Sequence, residues 1–355
     1  MRRPNVLLLY TDQQRWDALA AAGNPHIRTP NLDRLAAEGA LFENAFCNNP
    51  VCMPSRQSML SGQYPSSLGC CCNGIAMRED VPTLATVLKP CGYHAATIGK
   101  LHFLNHSDRD HRECHPTYGF DTVIVSDEPG CYDDAYIKWV AEHDGGAVDA
   151  CRVSSPPACV GPRIEKHGRN THQPYVFEGP EHLTHSAFVA DQTIAFLRAR
   201  RNETFFAIAG FFAPHAPLNP PQRFVDMYNP ADLPLPVMNE GENQLGLSDE
   251  QWRVVKAYYY ALVSHVDDQI GRILAALDET VAFKGQQSWE AWTPSVSVQK
   301  DFTDRVMGYV SANRGFKSGG FNGRANSALD AANPVFDPEF VWTYEAGVKG
   351  TSQDG

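Results

Sequence analysis

Cys52-Met53-Pro54-Ser55-Arg56 runs straight into Gln57-Ser58-Met59-Leu60-Ser61-Gly62. The order is a nucleophile, a proline suited to a first helical turn, a cation and a closing glycine. It predicts Cys52 at a helix N-terminus. There the unpaired N–H groups and the positive end of the helix dipole favour an anion, and Arg56 adds a fixed cation. The expected substrate is an oxyanion ester. Cys52 by itself would as readily be a small buried hydrophobe, so the reading rests on the five residues together.

Three further stretches carry matching chemistry. Val6-Leu7-Leu8-Leu9-Tyr10 is a short apolar run, the pattern of a strand buried on both faces, and it ends in Thr11-Asp12-Gln13. Oxygen donors leaving the C-terminal end of a buried strand are where open α/β sheets hold ligands, and hard cations take such donors. Asp12 could instead simply cap a turn. The stretch His94–Ile98 reads as a strand that ends in Gly99 and then sets Lys100 and His102 at alternate positions, so both are expected on one face. A cation and an imidazole there suit an anionic oxygen and a proton transfer at neutral pH. After the apolar run Thr204–Gly210, Ala213-Pro214-His215-Ala216-Pro217 brackets a histidine with two prolines, which fixes where His215 points. Asn73, just past Cys70-Cys71-Cys72, reads on its own as a turn residue.

Cys52 to Arg56 resembles the Cys-x-Pro-Ser-Arg signature of the sulfatase family. The resemblance implies that the cysteine is oxidised after translation to formylglycine by a formylglycine-generating enzyme. It also implies that the hydrated aldehyde attacks sulfur and that the sulfated intermediate collapses by C–O cleavage. Asp12 and Gln13 match the family's metal ligands, with residue 52 completing the set. The expected ion is Ca²⁺, with Mg²⁺ or Mn²⁺ as alternatives. Gly99-Lys100-Leu101-His102 matches the Gly-Lys-x-His element, in which the lysine binds sulfate and the histidine helps deprotonate the diol. His215 matches the histidine that contacts the sulfate or the leaving oxygen. Asn73 lies where choline-sulfatase-like and phosphonate-hydrolase-like relatives carry an asparagine near the substrate. The implied substrate is a small-molecule or carbohydrate sulfate ester. Phosphonate or phosphate ester hydrolysis on the same fold is the alternative.

The intervening sequence alternates helix and strand. Thr29-Pro30 opens a helix that Gly39 closes, and Thr83–Leu88 predicts another short one. Phe188, Ile194 and Leu197 recur at helical spacing between about 183 and 200. The longest helix spans about Ser248–Leu277, with Val255, Leu262, Val266, Ile270, Ile273 and Leu277 as its apolar stripe. Alternating helices and buried strands predict an α/β fold, a mostly parallel sheet with helices on both faces. The resemblance sharpens this to the alkaline-phosphatase-like fold. Residues 145–180, rich in Gly, Pro and His, predict a surface excursion near the substrate mouth.

Composition sets the outer limits. A chain of 355 residues, 43% hydrophobic, is long enough for one large or two small domains. Its formal charge of −11 argues against a nucleic-acid binder. The ten cysteines lie between positions 47 and 159, with neither a regular disulfide scaffold nor paired zinc-type spacing. Arg2 and Arg3 precede an apolar run too short for a signal peptide, so the expected location is cytoplasmic by default, with a periplasmic one open.

The sequence changes character near residue 280. By resemblance, the long helix should lead to a strand ending in a Ser/Thr-Asp-His/Asn-Gly motif with further metal ligands, and this does not follow. Instead come period-two segments with Gly, Asn and Asp turns, including Arg314-Gly315-Phe316-Lys317-Ser318-Gly319-Gly320-Phe321-Asn322 and Tyr344-Glu345-Ala346-Gly347-Val348-Lys349. These phrases resemble the barrel of TonB-dependent outer-membrane receptors. The expectation is a truncated sulfatase-like domain over 1–280 and a short β-rich or disordered barrel fragment over 281–355. Membrane contact is expected only if that fragment is a genuine part of the protein. The pairing implies impaired activity, or an inactive chimera.

Overall fold

The computed structural model describes the chain apart from residues 1–2, 107–108, 154–172, 239–242, 244, 281–294, 304–305, 318–319, 322–334, 337–338 and 351–355. Two compact units divide at Leu277/Asp278. In chain order the first carries β1 (Val6–Asp12), α1 (Pro30–Glu38), α2 (Cys52–Ser61), α3 (Pro65–Leu68), α4 (Leu84–Leu88), β2 (His94–Gly99), β3 (Thr122–Val125), α5 (Ala135–His143) and α6 (Val148–Cys151). It continues with α7 (His185–Ala199), β4 (Phe205–Pro214), α8 (Gln222–Val225) and most of α9 (Asp249–Thr280).

The four strands form one sheet in the order β1-β4-β2-β3, every pair parallel. All ten residues of β4 are buried, because its side chains serve two cores. Phe205, Ala207, Ala209 and Phe211 pack with Phe188, Val266 and Ile270 on one side. Phe206 and Ile208 pack with Ala85, Phe103 and Phe120 on the other. Helices thus cover both faces, the α/β arrangement expected. β1 differs from its sequence pattern. It pairs with β4 alone among the described strands, and Val6 to Thr11 are half-buried or exposed rather than enclosed.

The helix predictions hold at α1, α2, α4, α7 and α9, with one difference in how α1 is capped. The Thr29 side chain makes no cap bond. The Asp267 carboxylate on α9 accepts from the first-turn N–H groups of Asn31 and Leu32, at 3.2 and 2.8 Å. An acceptor from a distant helix satisfies these donors as well as a local one does.

Residues 145–180 are only partly an excursion. Ala147, Cys151 and Val153 are buried, and residues 154–172 lie outside those described. The second unit contains β5 (Ser295–Thr303), β6 (Val306–Lys317), β7 (Gly320–Phe321), β8 (Val335–Phe336) and β9 (Glu339–Gly350). β5, β6 and β9 form an antiparallel sheet with β6 central, and β7 pairs with β8. The tail is therefore β-rich over its described part.

Candidate active site

Four segments far apart in sequence meet at the C-terminal ends of β1, β2 and β4. Cys52 is the first residue of α2, with Val51 as an extended N-cap, and Gly62 closes the helix in the left-handed region at φ 69°. The Asn73 side-chain oxygen accepts from Met53 N–H at 3.0 Å. It satisfies one of the orphan donors beside the nucleophile. Asn73 thus supports the helix start.

Asp12 ends β1 and is buried. Its Oδ2 accepts from Arg56 Nη2 at 3.0 Å and lies 2.8 Å from Lys100 Nζ. Its Oδ1 lies 3.7 Å from Cys52 Sγ. Burial opposes the Asp12 charge, but Lys100, Arg56 and His215 outweigh it and hold the carboxyl well below its usual range. Arg56 also donates to the Lys100 carbonyl at 2.7 Å and lies over the Tyr10 ring at 4.7 Å. Lys100, only 1% exposed, sits over Phe212 at 4.3 Å. Burial pushes its ammonium pKa down against the pull of Asp12. The Cys52 thiol is pushed up by burial and by Asp12, with Lys100 and Arg56 opposing. As a thiol it is therefore protonated near neutrality.

Lys100 and His102 are not alternate residues of a strand. β2 stops at Gly99, whose φ of +88° only glycine adopts readily. A Cβ there would lie 2.2 Å from the Gly210 carbonyl oxygen. That same oxygen accepts from Lys100 N–H at 2.8 Å. The chain then turns, and His102 takes φ 55°. Burial, Lys100 and His106 lower the His102 pKa to about 2, so the ring is neutral.

His215 follows β4. Its Nδ1 lies 2.7 Å from the Ala216 carbonyl, which accepts and so places the proton on Nδ1, making Nε2 the basic nitrogen. Ligand atoms of Asp12, Cys52 and His215 all lie within 4.8 Å of one another. An ionised carboxylate and an imidazole at this spacing fit a divalent cation. A protonated thiol does not suit a hard one, and an oxygen at position 52 would. Gln13 is not gathered in by the same contacts. It is exposed and left-handed at φ 63°, and its carbonyl is held by the Tyr259 hydroxyl at 3.0 Å.

Tyr10, Phe212 and Asp127 were not singled out in the sequence. The first two stand within three residues of Asp12 and His215, so proximity alone could have flagged them. Asp127 gives no such signal.

The family model described as Sulfatase matches residues 4–283. A second, described as TonB dependent receptor-like, beta-barrel, matches residues 263–355. The chain is similar to the arylsulfatase of Clostridium perfringens, 32% identical over 313 residues, covering 78% of this chain and 60% of that protein. It is also similar to the iduronate 2-sulfatase of Homo sapiens, 26% identical over 325 residues, covering 80% and 54%. Among solved structures, the phosphonate monoester hydrolase from Silicibacter pomeroyi is similar at a TM-score of 0.62 and 26% identity, covering 78% of this chain and 60% of that one. The chain thus spans only 54% to 60% of the length of these proteins.

Proposed function

Because the chain belongs to the sulfatase family, we propose that residues 1–280 form the domain that hydrolyses sulfuric acid monoesters, with residues 281–355 no part of that chemistry. The observation that carries this reading is the convergence of Cys52, Asp12, Arg56, Lys100 and His215 from four segments around one buried carboxylate.

Cys52, at the positive end of α2, is the position for formylglycine, whose hydrate would supply the attacking oxygen. Asp12 and an oxygen at position 52 would hold a divalent cation, Ca²⁺ by preference, which would supply charge neutralisation for the sulfate oxygens. Arg56 and Lys100 counter the negative charge of the ester, in a site dry enough to strengthen both interactions. His102, neutral in the resting site, accepts a proton; an anion bound beside Lys100 would raise its proton affinity. His215 Nε2 exchanges a proton with the leaving oxygen, while Nδ1–H holds the ring to Ala216. Asn73 keeps the start of α2 in place.

No Ser/Thr-Asp-His/Asn-Gly sequence follows Thr280 in this chain. Ca²⁺ takes about six to eight oxygens, so the oxygens of Asp12 and position 52 by themselves bind it weakly. The likeness to a phosphonate monoester hydrolase supports a second reading, hydrolysis of phosphonate or phosphate esters.

The test is to co-express the full chain with a formylglycine-generating enzyme and measure aryl sulfate and aryl phosphonate turnover with added Ca²⁺. Faster sulfate turnover that Cys52→Ala abolishes is the expected result. A faster phosphonate rate selects the second reading. No turnover of either ester, with position 52 shown by mass spectrometry to be converted, would mean an inactive chimera.

A further inference from the structure

The turn that carries Lys100 and His102 hangs from a residue that the chemistry above does not use. β3 ends at Val125, and Ser126 N–H continues its ladder by donating to the Gly99 carbonyl at 3.0 Å. The next rung is made by a side chain. Asp127 Oδ1 accepts from Leu101 N–H at 2.9 Å and from His102 N–H at 2.7 Å. Two successive N–H groups converging on one carboxylate oxygen form an anion nest, and His102 enters it at φ 55°, a conformation a non-glycine residue keeps only when its surroundings impose it. Asp127 is 0% exposed, and its Oδ2 lies 3.3 Å from Arg109 Nη2. Lys100 is anchored by other means, its N–H on the Gly210 carbonyl and its ammonium on Asp12. The two side chains share a turn but not a support.

We propose that Asp127 is a positioning residue that sets the His102 imidazole through the backbone of residues 101 and 102, independently of Lys100. Within the hydrolase reading above, on which its catalytic consequence rests, Asp127 governs the proton-transfer arm of the site and leaves the sulfate-binding arm alone.

Amide hydrogen exchange on the full chain tests the geometry without any need for activity. Asp127→Ala should speed exchange at Leu101 and His102 at least about tenfold while Lys100 N–H keeps its protection. Asp127→Asn retains an acceptor oxygen and should restore most of the loss. Acceleration of all three amides together, or of none, would overturn the proposal.

Where the chain turns over a sulfate ester, Asp127→Ala should lower kcat about 100-fold with KM within about twofold. Adding His102→Ala should cost little more. A loss confined to KM, or additive losses, would count against it. Should Asp127→Ala not fold, the pair Asp127→Ala/His102→Gly should recover folding, because glycine takes φ 55° without strain; failure of the pair would make Asp127 a general structural residue. If the wild type hydrolyses no ester, the functional reading falls while the exchange experiment still decides this one.

Discussion

Asp12→Asn removes one negative charge from between two buried cations and changes almost nothing else in size. Lys100 Nζ at 2.8 Å and Arg56 Nη2 at 3.0 Å both address Oδ2. At an effective dielectric constant of about 20, each contact is worth about 6 kcal/mol in Coulomb terms. Most of that offsets the desolvation of three charges, so the measurable quantity is the cost of leaving the partners unmatched, about 3–5 kcal/mol. Against a domain stability of about 5–15 kcal/mol, this is a large fraction. Thiol labelling in urea would read it in the right unit. All ten cysteines lie between residues 47 and 159, and Cys131 and Cys151 are buried in the first unit, so their modification reports unfolding there alone. The double variant Asp12→Asn/Lys100→Met, which removes the excess cation with little change in volume, should recover a substantial part of the loss. The penalty should also shrink as pH rises, because burial already favours the neutral Lys100 amine and that amine releases its proton more readily once Asp12 is gone. A loss below about 1 kcal/mol, or no recovery in the double variant, would refute the claim that this carboxylate balances two buried cations.

Two other predictions concern the first unit. Asn73→Ala should destabilise the first unit by about 1 kcal/mol, the usual cost of a lost N-cap acceptor, read as a shift in the same urea midpoint; no shift would mean that Met53 N–H finds another acceptor. His185 and His265 are buried neutral, with burial holding each pKa at about 3. As pH falls below about 6.5 the unfolded chain takes up protons that the folded one refuses, so stability drops by about 1.4 kcal/mol per pH unit per histidine until the folded pKa is reached. His265→Gln should remove one proton from the slope of unfolding free energy between pH 6.5 and 5, and an unchanged slope would show that His265 titrates alike in both states.

Local sequence carried most of what is local in the site. The start of α2 at Cys52, its closure at Gly62 and the strand leading to His215 could be read because glycine, proline and apolar runs act on the backbone within a few residues. The break after Gly99 could be read only in part. The glycine marks a special conformation, but the reason is its contact with the Gly210 carbonyl 111 residues away, and no periodicity reports a close approach between strands. Asp127 and Asp267 were invisible for the same reason. Each is one of an adjacent acidic pair, with Glu128 or Asp268 beside it, and accepts from two backbone N–H groups of a distant segment; a backbone donor has no signature in sequence. β1 erred in the opposite direction. Its apolar composition is that of an enclosed strand, yet the fold gives it one described neighbour, since composition states what a strand can tolerate and the number of neighbours is a property of the whole sheet.

The charge of the chain and the charge of the site point in opposite directions, and the site decides which ligand is held. Overall the protein carries −11, which repels anions at long range but is screened beyond about 8–10 Å at physiological ionic strength. Within the cluster, Arg56 and Lys100 give two positive charges against the single negative charge of Asp12, and both are almost wholly buried, where screening is weak. The start of α2 adds a partial positive charge beside Cys52. On the proposed reading, a monoanionic ester meets an excess of positive charge only at the cluster itself. Capture should then depend little on bulk salt and strongly on the one carboxylate that keeps both cations in place. Sulfate esters bring a single negative charge to this balance and phosphate monoesters bring nearly two near neutrality. In cation-free protein Asp12→Asn should consequently shift relative affinity toward the more highly charged ester, and competition between an aryl sulfate and an aryl phosphate would show it directly.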